Sequence, residues 1–150
     1  MFLKPIVAGV GLNELQAREK GISYQVVCLD YSIIPRGIAM RNPEGFFKIL
    51  VTNDSEMKVL GMRVVGPQAS TAIQAIGLMI SQGMGIEALA ELIHPHPSLI
   101  EGIQECCRML LGKSIFKPNV FKDAMLYKGY VDGQYQDKSK ECIGIRCQIN

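Results

Sequence analysis

Residues 46–66, FFKILVTNDSEMKVLGMRVVG, decide the fold class of this chain. FFKILVT (46–52) and MKVLGMRVVG (57–66) are rich in β-branched and aromatic residues, which favour extended strands. The polar residues NDSE separate the two segments and suit a turn, so the stretch predicts a β-hairpin. Gly66-Pro67 predicts the end of the second strand.

A further strand precedes the hairpin, and a helix follows it. SYQVVCLDYSII (23–34) is predicted to be a strand that enters a Pro-Arg-Gly turn at 35–37. From residue 69 the apolar residues recur at helical spacing, and Gly83 stands where a glycine commonly follows the last helical turn. The predicted inner face of this helix consists of Ala69, Ala72, Ile73, Ile76, Met79 and Ile80.

Two more helices are predicted on either side of the prolines at 95 and 97. The first must end before Pro95, because the residue before a proline is pushed out of the helical region. Its inward side chains are predicted to be Ile86, Leu89, Ala90 and Ile93. The second runs from about Ser98 to Leu111, with a buried stripe of Leu99, Ile103, Cys106 and Leu110. Strands followed by helices predict an α+β domain, an antiparallel β-sheet flanked by helices.

The pattern weakens after Gly112. We therefore divide the chain into a domain, residues 1–112, and a C-terminal extension, residues 113–150, that is partly irregular. One short helix is expected near 119–127, and the polar run 134–141 is expected to be a mobile linker.

The composition argues against several classes of protein. The net charge of +2 provides no electrostatic footprint for nucleic acid or for an anionic membrane. No apolar run approaches the ~20 residues that span a bilayer, and the first residues do not form a convincing signal peptide. The five cysteines form no disulfide framework, so we expect free thiols and a cytoplasmic location.

The segment LIHPHPSLIEGIQE (92–105) contains both histidines of the chain, His94 and His96, and has two interpretations. In the first, Ser98 and Glu101 form a capping box at the start of a helix, and the histidines are surface loop residues. In the second, Glu101 accepts a hydrogen bond from the ring of His96, as the orienting carboxylate of a general base does. His94 has no acid at the same spacing, so His96 is the better candidate. The residues alone leave both interpretations open.

Four blocks of the sequence resemble one family. HPHPSLIEGIQE is similar to the H-x-H-P-[ST]-x-x-E segment of dihydrolipoyl dehydrogenases, mercuric reductases and their relatives, the FAD-dependent pyridine nucleotide–disulfide oxidoreductases. Three earlier segments resemble further blocks of the dimerisation domain of that family, in family order and spacing. They are PIVAGVGLNELQAREKG (5–21), IPRGIAMRNPEGFFKIL (34–50) and VLGMRVVGPQAS (59–70).

The resemblance implies a homodimer in which the His-Pro loop enters the active site of the partner subunit. It implies that His96 is the acid–base group for a dithiol or disulfide substrate, that Glu101 polarises it, and that the backbone of His96 and Pro97 contacts the partner's FAD. A cis peptide bond before Pro97 is the family expectation. No resident metal is expected.

FAD and NAD(P) are expected in a longer parent enzyme, not bound to this chain, which alone is not expected to be active. The chain has only Gly9-Val-Gly11 in place of a full G-x-G-x-x-G nucleotide fingerprint. Two alternatives to this function are a stand-alone homodimerisation or interaction module without catalysis and a domain of a mercuric reductase-like enzyme.

Two cysteine pairs and two arginines each have a structural interpretation and a chemical one. Cys142 and Cys147 have the C-x4-C spacing of a redox disulfide, but they lack its strand–turn–helix context, which favours chance spacing. Cys106-Cys107 is expected to consist of small core residues, with soft-metal binding as the alternative. The arginines at 36 and 41 are expected in a solvated loop, with an interface or anion-binding role as the alternative.

Overall fold

A computed structural model describes residues 4–41, 43–116 and 120–138. Within these residues a single antiparallel sheet is formed, with the strand order β1-β4-β3-β2-β5-β6. The strands are β1 Val7–Gly11, β2 Tyr24–Asp30, β3 Phe46–Thr52, β4 Val59–Val65, β5 Met125–Val131 and β6 Gln134–Asp137. The helices are α1 Glu14–Glu19, α2 Pro35–Ala39, α3 Ala69–Ser81, α4 Glu87–Ala90 and α5 Glu101–Leu110. The predicted α+β class, an antiparallel sheet flanked by helices, is confirmed.

The predicted hairpin is the centre of the sheet. Strands β3 and β4 pair from Phe46 opposite Val65 onward, with an irregularity between Leu50 and Val51. Asp54 closes the turn, since its Oδ1 accepts hydrogen bonds from the amides of residues 56 and 57 at 3.0 and 2.9 Å. An aspartate that bonds its own backbone in this way is a common turn former.

The helices cover the two faces of the sheet unequally. On one face α3 packs against β1 and β4, and α5 packs against β2 and β3, so most of the core lies there. On the other face the short helix α1 places Ala17 against a smaller cluster of Tyr24, Val26 and Leu50. The side chain of Asn13 and the side chain of Gln16 form a capping box at the start of α1.

The C-terminal extension contains strands where the sequence predicted other structure. Residues 125–131 form β5, which pairs with β2, so the helix predicted near 119–127 is wrong. Residues 134–137 form β6, so the predicted mobile linker is wrong over that range. The buried and exposed positions alternate along MLYKGYV, but lysine and glycine are poor strand formers and obscured that pattern. The division at residue 112 stays a prediction, although both strands continue the same sheet.

Two details of the helical half also differ from expectation. Ile93, predicted to face inward, is 97 % exposed, because α4 ends at Ala90 and the chain has already left the helix. Helix α5 begins at Glu101 instead of Ser98. Its predicted buried stripe is confirmed, and all four of its side chains are buried. No helix in the described ranges is long and apolar enough to cross a membrane.

Candidate functional site

The loop between α4 and α5 brings His96 and Glu101 into contact. The peptide bond between His96 and Pro97 is cis, as expected, and Glu101 is the first residue of α5. His96 Nδ1 lies 2.7 Å from Glu101 Oε1, which is a short charge-assisted distance. The His96 side chain is 69 % exposed and the Glu101 side chain only 21 %. A mostly buried carboxylate therefore holds an imidazole that projects from the surface.

The Glu101 carboxylate also accepts a backbone hydrogen bond just before the start of α5. The amide of Ser98 donates to Glu101 Oε2 at 2.7 Å, which is one half of the predicted capping box. The other half is missing, because Ser98 Oγ is buried with no hydrogen-bond partner in the described part of the chain. Each oxygen of Glu101 thus has a different partner, the His96 ring for Oε1 and the Ser98 amide for Oε2.

These bonds determine the charge of Glu101. Partial burial acts to raise its pKa, but the Ser98 amide and the His96 ring outweigh burial, and the pKa lies below the usual value of 4.5. Glu101 is therefore ionised at neutral pH and accepts from His96 Nδ1–H. This assignment leaves Nε2 as the ring nitrogen that can take up a proton.

The second histidine does not take part in this pair. His94 is hydrogen-bonded within its own loop, with Nδ1 2.9 Å from the carbonyl oxygen of Leu92. His94 is therefore a local loop residue, as the spacing argument predicted.

A cavity of about 200 Å³ opens beside the pair. Its polar lining is formed by His96, Glu101, Glu105 and Arg108, of which the last two were not anticipated from the sequence. The remaining lining residues are Leu29, Ile34, Pro35, Gly102, Ile115 and Phe116. Glu105 follows Glu101 by four residues on α5, so both side chains lie on one face of that helix. This four-residue spacing was the feature of the sequence that could have identified Glu105.

Glu105 is an unusually buried acid, with only 2 % of its surface exposed. Its Oε1 accepts hydrogen bonds from the Ser114 hydroxyl and, at 3.2 Å, from the amide of Ile115. Its Oε2 has no hydrogen-bond partner in the described part of the chain, and Arg108 Nη1 lies 3.7 Å away. Burial raises the pKa of this carboxyl, and the Ser114 hydroxyl and Arg108 offset that effect in part.

The described cysteines are poor nucleophiles. Cys106 and Cys107 are fully buried in α5, as predicted for core residues, and burial raises the pKa of Cys107 to about 12. Burial also raises the pKa of Cys28 in β2 to about 11. Cys142 and Cys147 lie outside the described residues. Within the described ranges, no group of three or more His, Cys, Asp or Glu side chains could hold a metal ion.

The presence of glycine at positions 9 and 11 has a structural explanation that is unrelated to nucleotide binding. Gly9 and Gly11 lie in β1, where a Cβ on Gly9 would come within 2.6 Å of the Arg63 side chain, and Gly11 has a φ of 67°. Arg63 crosses this strand and donates to the carbonyl oxygen of Val10 at 2.7 Å and to that of Gly11 at 2.9 Å. The segment is an edge strand whose carbonyl oxygens are bonded by an arginine, and it pairs antiparallel with β4, whereas a pyrophosphate site of this kind belongs to a parallel β–α–β unit. The arginines at 36 and 41 are both exposed, as expected, but Arg36 lies in α2 and not in a loop.

Comparison with known proteins gives the family. The family model "Pyridine nucleotide-disulphide oxidoreductase, dimerisation domain" matches residues 1–107, and the chain belongs to this family.

Similar proteins support the assignment over most of the chain. Dihydrolipoyl dehydrogenase from Geobacillus stearothermophilus is 34 % identical over 115 residues, which are 77 % of this chain and 24 % of that protein. Mercuric reductase from Lysinibacillus sphaericus is 36 % identical over 116 residues, which are 77 % of this chain and 21 % of that protein. The chain thus spans about a quarter of the length of these relatives.

Solved structures agree with the fold. LpdA from Mycobacterium tuberculosis matches with a TM-score of 0.67 and 28 % identity, covering 73 % of this chain and 24 % of that one. The flavoprotein disulfide reductase RclA from Escherichia coli matches with a TM-score of 0.66 and 29 % identity, covering 71 % of this chain and 24 % of that one.

Proposed function

We propose that this chain is the C-terminal dimerisation domain of a dihydrolipoyl dehydrogenase-like flavoprotein, and that it supplies His96 and Glu101 to the dithiol or disulfide site of its partner subunit. The observation that carries the proposal is the 2.7 Å contact between His96 Nδ1 and Glu101 Oε1 on an exposed loop. A general base must be held in one orientation and must also reach its substrate. Glu101 meets the first requirement, and the exposure of His96 meets the second.

The proton chemistry follows from the tautomer. With Nδ1–H bonded to Glu101, Nε2 accepts a proton from a substrate thiol. The thiolate that forms would attack a redox disulfide elsewhere in the parent enzyme, so that a mixed disulfide forms as that S–S bond breaks and a thiolate leaves. The positive charge on the ring is stabilised by the ionised Glu101. In the reverse direction the same nitrogen returns the proton to a leaving thiolate. FAD and NAD(P), when bound elsewhere in the parent enzyme, would supply the acceptors for the two electrons released as the dithiol is oxidised to a disulfide.

The backbone of His96 and Pro97 is proposed to contact the partner's FAD. The exposure of this loop is consistent with such a contact. Free thiols at Cys28, Cys106 and Cys107 support the proposed cytoplasmic location.

The direct test replaces His96 by glutamine in the full-length protein that contains this chain. We expect turnover with a dithiol substrate to fall ~100-fold or more, the usual scale of general acid–base catalysis, with the fold unchanged by circular dichroism. His94→Gln is the matched control on the same loop and should leave turnover unchanged. Full dithiol activity of His96→Gln would remove His96 from the mechanism.

The alternatives make different predictions. A mercuric reductase-like parent, favoured by the 36 % identical relative, predicts mercury-dependent oxidation of NADPH. The buried Cys106 and Cys107 are unsuited to supply the exposed thiols for that reaction. A stand-alone module predicts a homodimer with no flavin segment in the same gene. Sedimentation of the chain, together with the coding sequence upstream of residue 1, distinguishes it from the first proposal.

A further inference from the structure

The segment that joins α5 to β5 has apolar side chains at the surface. Ile115 is 68 % exposed, Val120 69 % and Phe121 36 %. The ring of Phe121 meets the ring of Phe116 edge to face, with the centroids 6.0 Å apart, which brings the two ends of the segment together. We call Ile115, Phe116, Val120 and Phe121 the extension patch, and it lies beyond the residues 1–107 that the family model matches. Apolar side chains that cluster at a surface commonly mark a binding site for another segment or protein.

The last strand of the sheet leads toward this patch. Strand β6 runs antiparallel to β5, and the amide of Lys138 still donates to the carbonyl oxygen of Tyr127 at 3.0 Å. The chain therefore leaves β6 in the direction of Met125, the first residue of β5. At that end the carbonyl oxygen of Phe121 accepts from the amides of Ala124 and Met125 at 3.0 and 2.9 Å. The extension patch thus adjoins the end of the sheet toward which the chain runs.

The chain beyond β6 is long enough to cover the patch. Twelve residues of the sequence, 139–150, follow Lys138. Phe121 precedes Tyr127 by six residues, so it lies at most about 20 Å from the end of β6. Twelve extended residues span up to about 40 Å, which exceeds that distance.

The same twelve residues, SKECIGIRCQIN, have the pattern of a strand with one apolar face. Apolar and other residues alternate strictly over 143–149, which is typical of a half-buried strand. In an extended chain, successive side chains point to opposite sides. One side would consist of Ile143, Ile145, Cys147 and Ile149, and the other of Cys142, Gly144, Arg146 and Gln148.

We propose that the extension patch is the docking surface for residues 143–149 of the same chain, which bind it in extended form through their three isoleucines and Cys147. Phe116 belongs both to the patch and to the wall of the cavity beside His96, so the docked segment supports that wall from outside. The inference does not depend on the role proposed for His96, and its test needs no turnover.

The two cysteines of the segment report on docking because they lie on opposite sides of the extended chain. In an undocked chain Cys147 is the more reactive thiol, since Arg146 beside it favours the thiolate and Glu141 beside Cys142 disfavours it. Docking reverses this order, because Cys147 faces the patch and Cys142 faces the solvent.

The test alkylates the reduced 150-residue chain with iodoacetamide at pH 8 and follows each cysteine by mass spectrometry of its peptide. Cys142 should react about tenfold faster than Cys147, because a segment docked for about nine tenths of the time exposes Cys147 for only one tenth. The ratio should not depend on chain concentration, since docking within one chain is governed by an effective concentration that the linker sets.

Matched variants assign the effect to the two surfaces. Val120→Asp on the patch and Ile145→Ser on the segment should each make Cys147 react at least as fast as Cys142. Leu78→Asp, at an exposed apolar position of α3, and Gln148→Ser, on the other side of the segment, should keep the tenfold ratio. Val120 is itself exposed, so its replacement is expected to leave the fold intact.

Three results would each overturn the inference. Cys147 could react as fast as Cys142 in the unaltered chain, which would show that the segment is undocked. Val120→Asp could leave Cys147 slow, which would place the segment on another surface. Slow labelling of Cys147 could strengthen with chain concentration, in which case the occupant of the patch is the segment of a second copy.

Discussion

Replacing Gly102 by alanine tests how closely α5 must approach the sheet to place Glu101. A Cβ at this position would lie 2.5 Å from Ile34 Cδ1 and 2.6 Å from two ring carbons of Phe47. Phe47 is fully buried and its ring packs against that of Tyr31 with the centroids 4.8 Å apart, so it has little room to retreat. The helix must therefore move outward or the core must distort.

The magnitude follows from two opposing effects. Overpacking a core costs about 1–3 kcal/mol, whereas alanine in place of glycine in a helix gains at most about 1 kcal/mol. We expect a net loss of about 1–2 kcal/mol in the free energy of unfolding. With a urea dependence of about 1–3 kcal/mol per molar, the midpoint of urea denaturation should fall by roughly 0.3–2 M.

Gly77 in α3 is the matched control. A Cβ there would have only Val10 Cγ2 at 3.7 Å as a neighbour, which is an ordinary contact, so Gly77→Ala should raise the midpoint. Signals of the His96 ring in NMR should shift in Gly102→Ala but not in Gly77→Ala, because residue 102 adjoins Glu101. A midpoint for Gly102→Ala at or above that of the unaltered chain would refute the close approach of α5 to Phe47.

Two further predictions concern buried groups. The pKa of Glu101 is lowered on folding, so it contributes stability above about pH 4.5 that is lost as the pH falls through its lower folded value. Since burial raises the pKa of Glu105, its contribution is present at acid pH and is lost as the pH rises. Relative to the unaltered chain, Glu101→Gln should therefore lose less stability on acidification, and Glu105→Gln should gain stability as the pH rises above about 4.5. Urea denaturation at several pH values measures both effects. Profiles parallel to that of the unaltered chain would contradict the assignment. Cys106 and Cys107 should react with a disulfide reagent at pH 8 only after addition of urea, because their thiols are buried and protonated. The experiment uses a chain with Cys142→Ser and Cys147→Ser. Rapid labelling of the native chain at position 106 or 107 would show that α5 opens readily.

Local patterns predicted much of this domain because the relevant interactions are local. The hairpin at 46–66, the helix from Ala69 and the stripe of α5 are each specified by a run of side chains with one period. The pairing of His96 with Glu101 was also within reach, since five residues separate them and Pro97 restrains the chain between them. Predictions failed where the period was obscured, as in β5, whose lysine and glycine hid an alternating strand.

What the sequence by itself determined is the fold class, the family resemblance and the identity of the imidazole–carboxylate pair, because each of these depends on residues close together in the chain. Only the tertiary structure decided that the extension joins the sheet through β2, that Glu105 is buried, and that Ile115 and Phe116 stand beside His96. Those features depend on contacts between distant segments. No local spacing specifies which strand a late segment will pair with, or which acid it will bury.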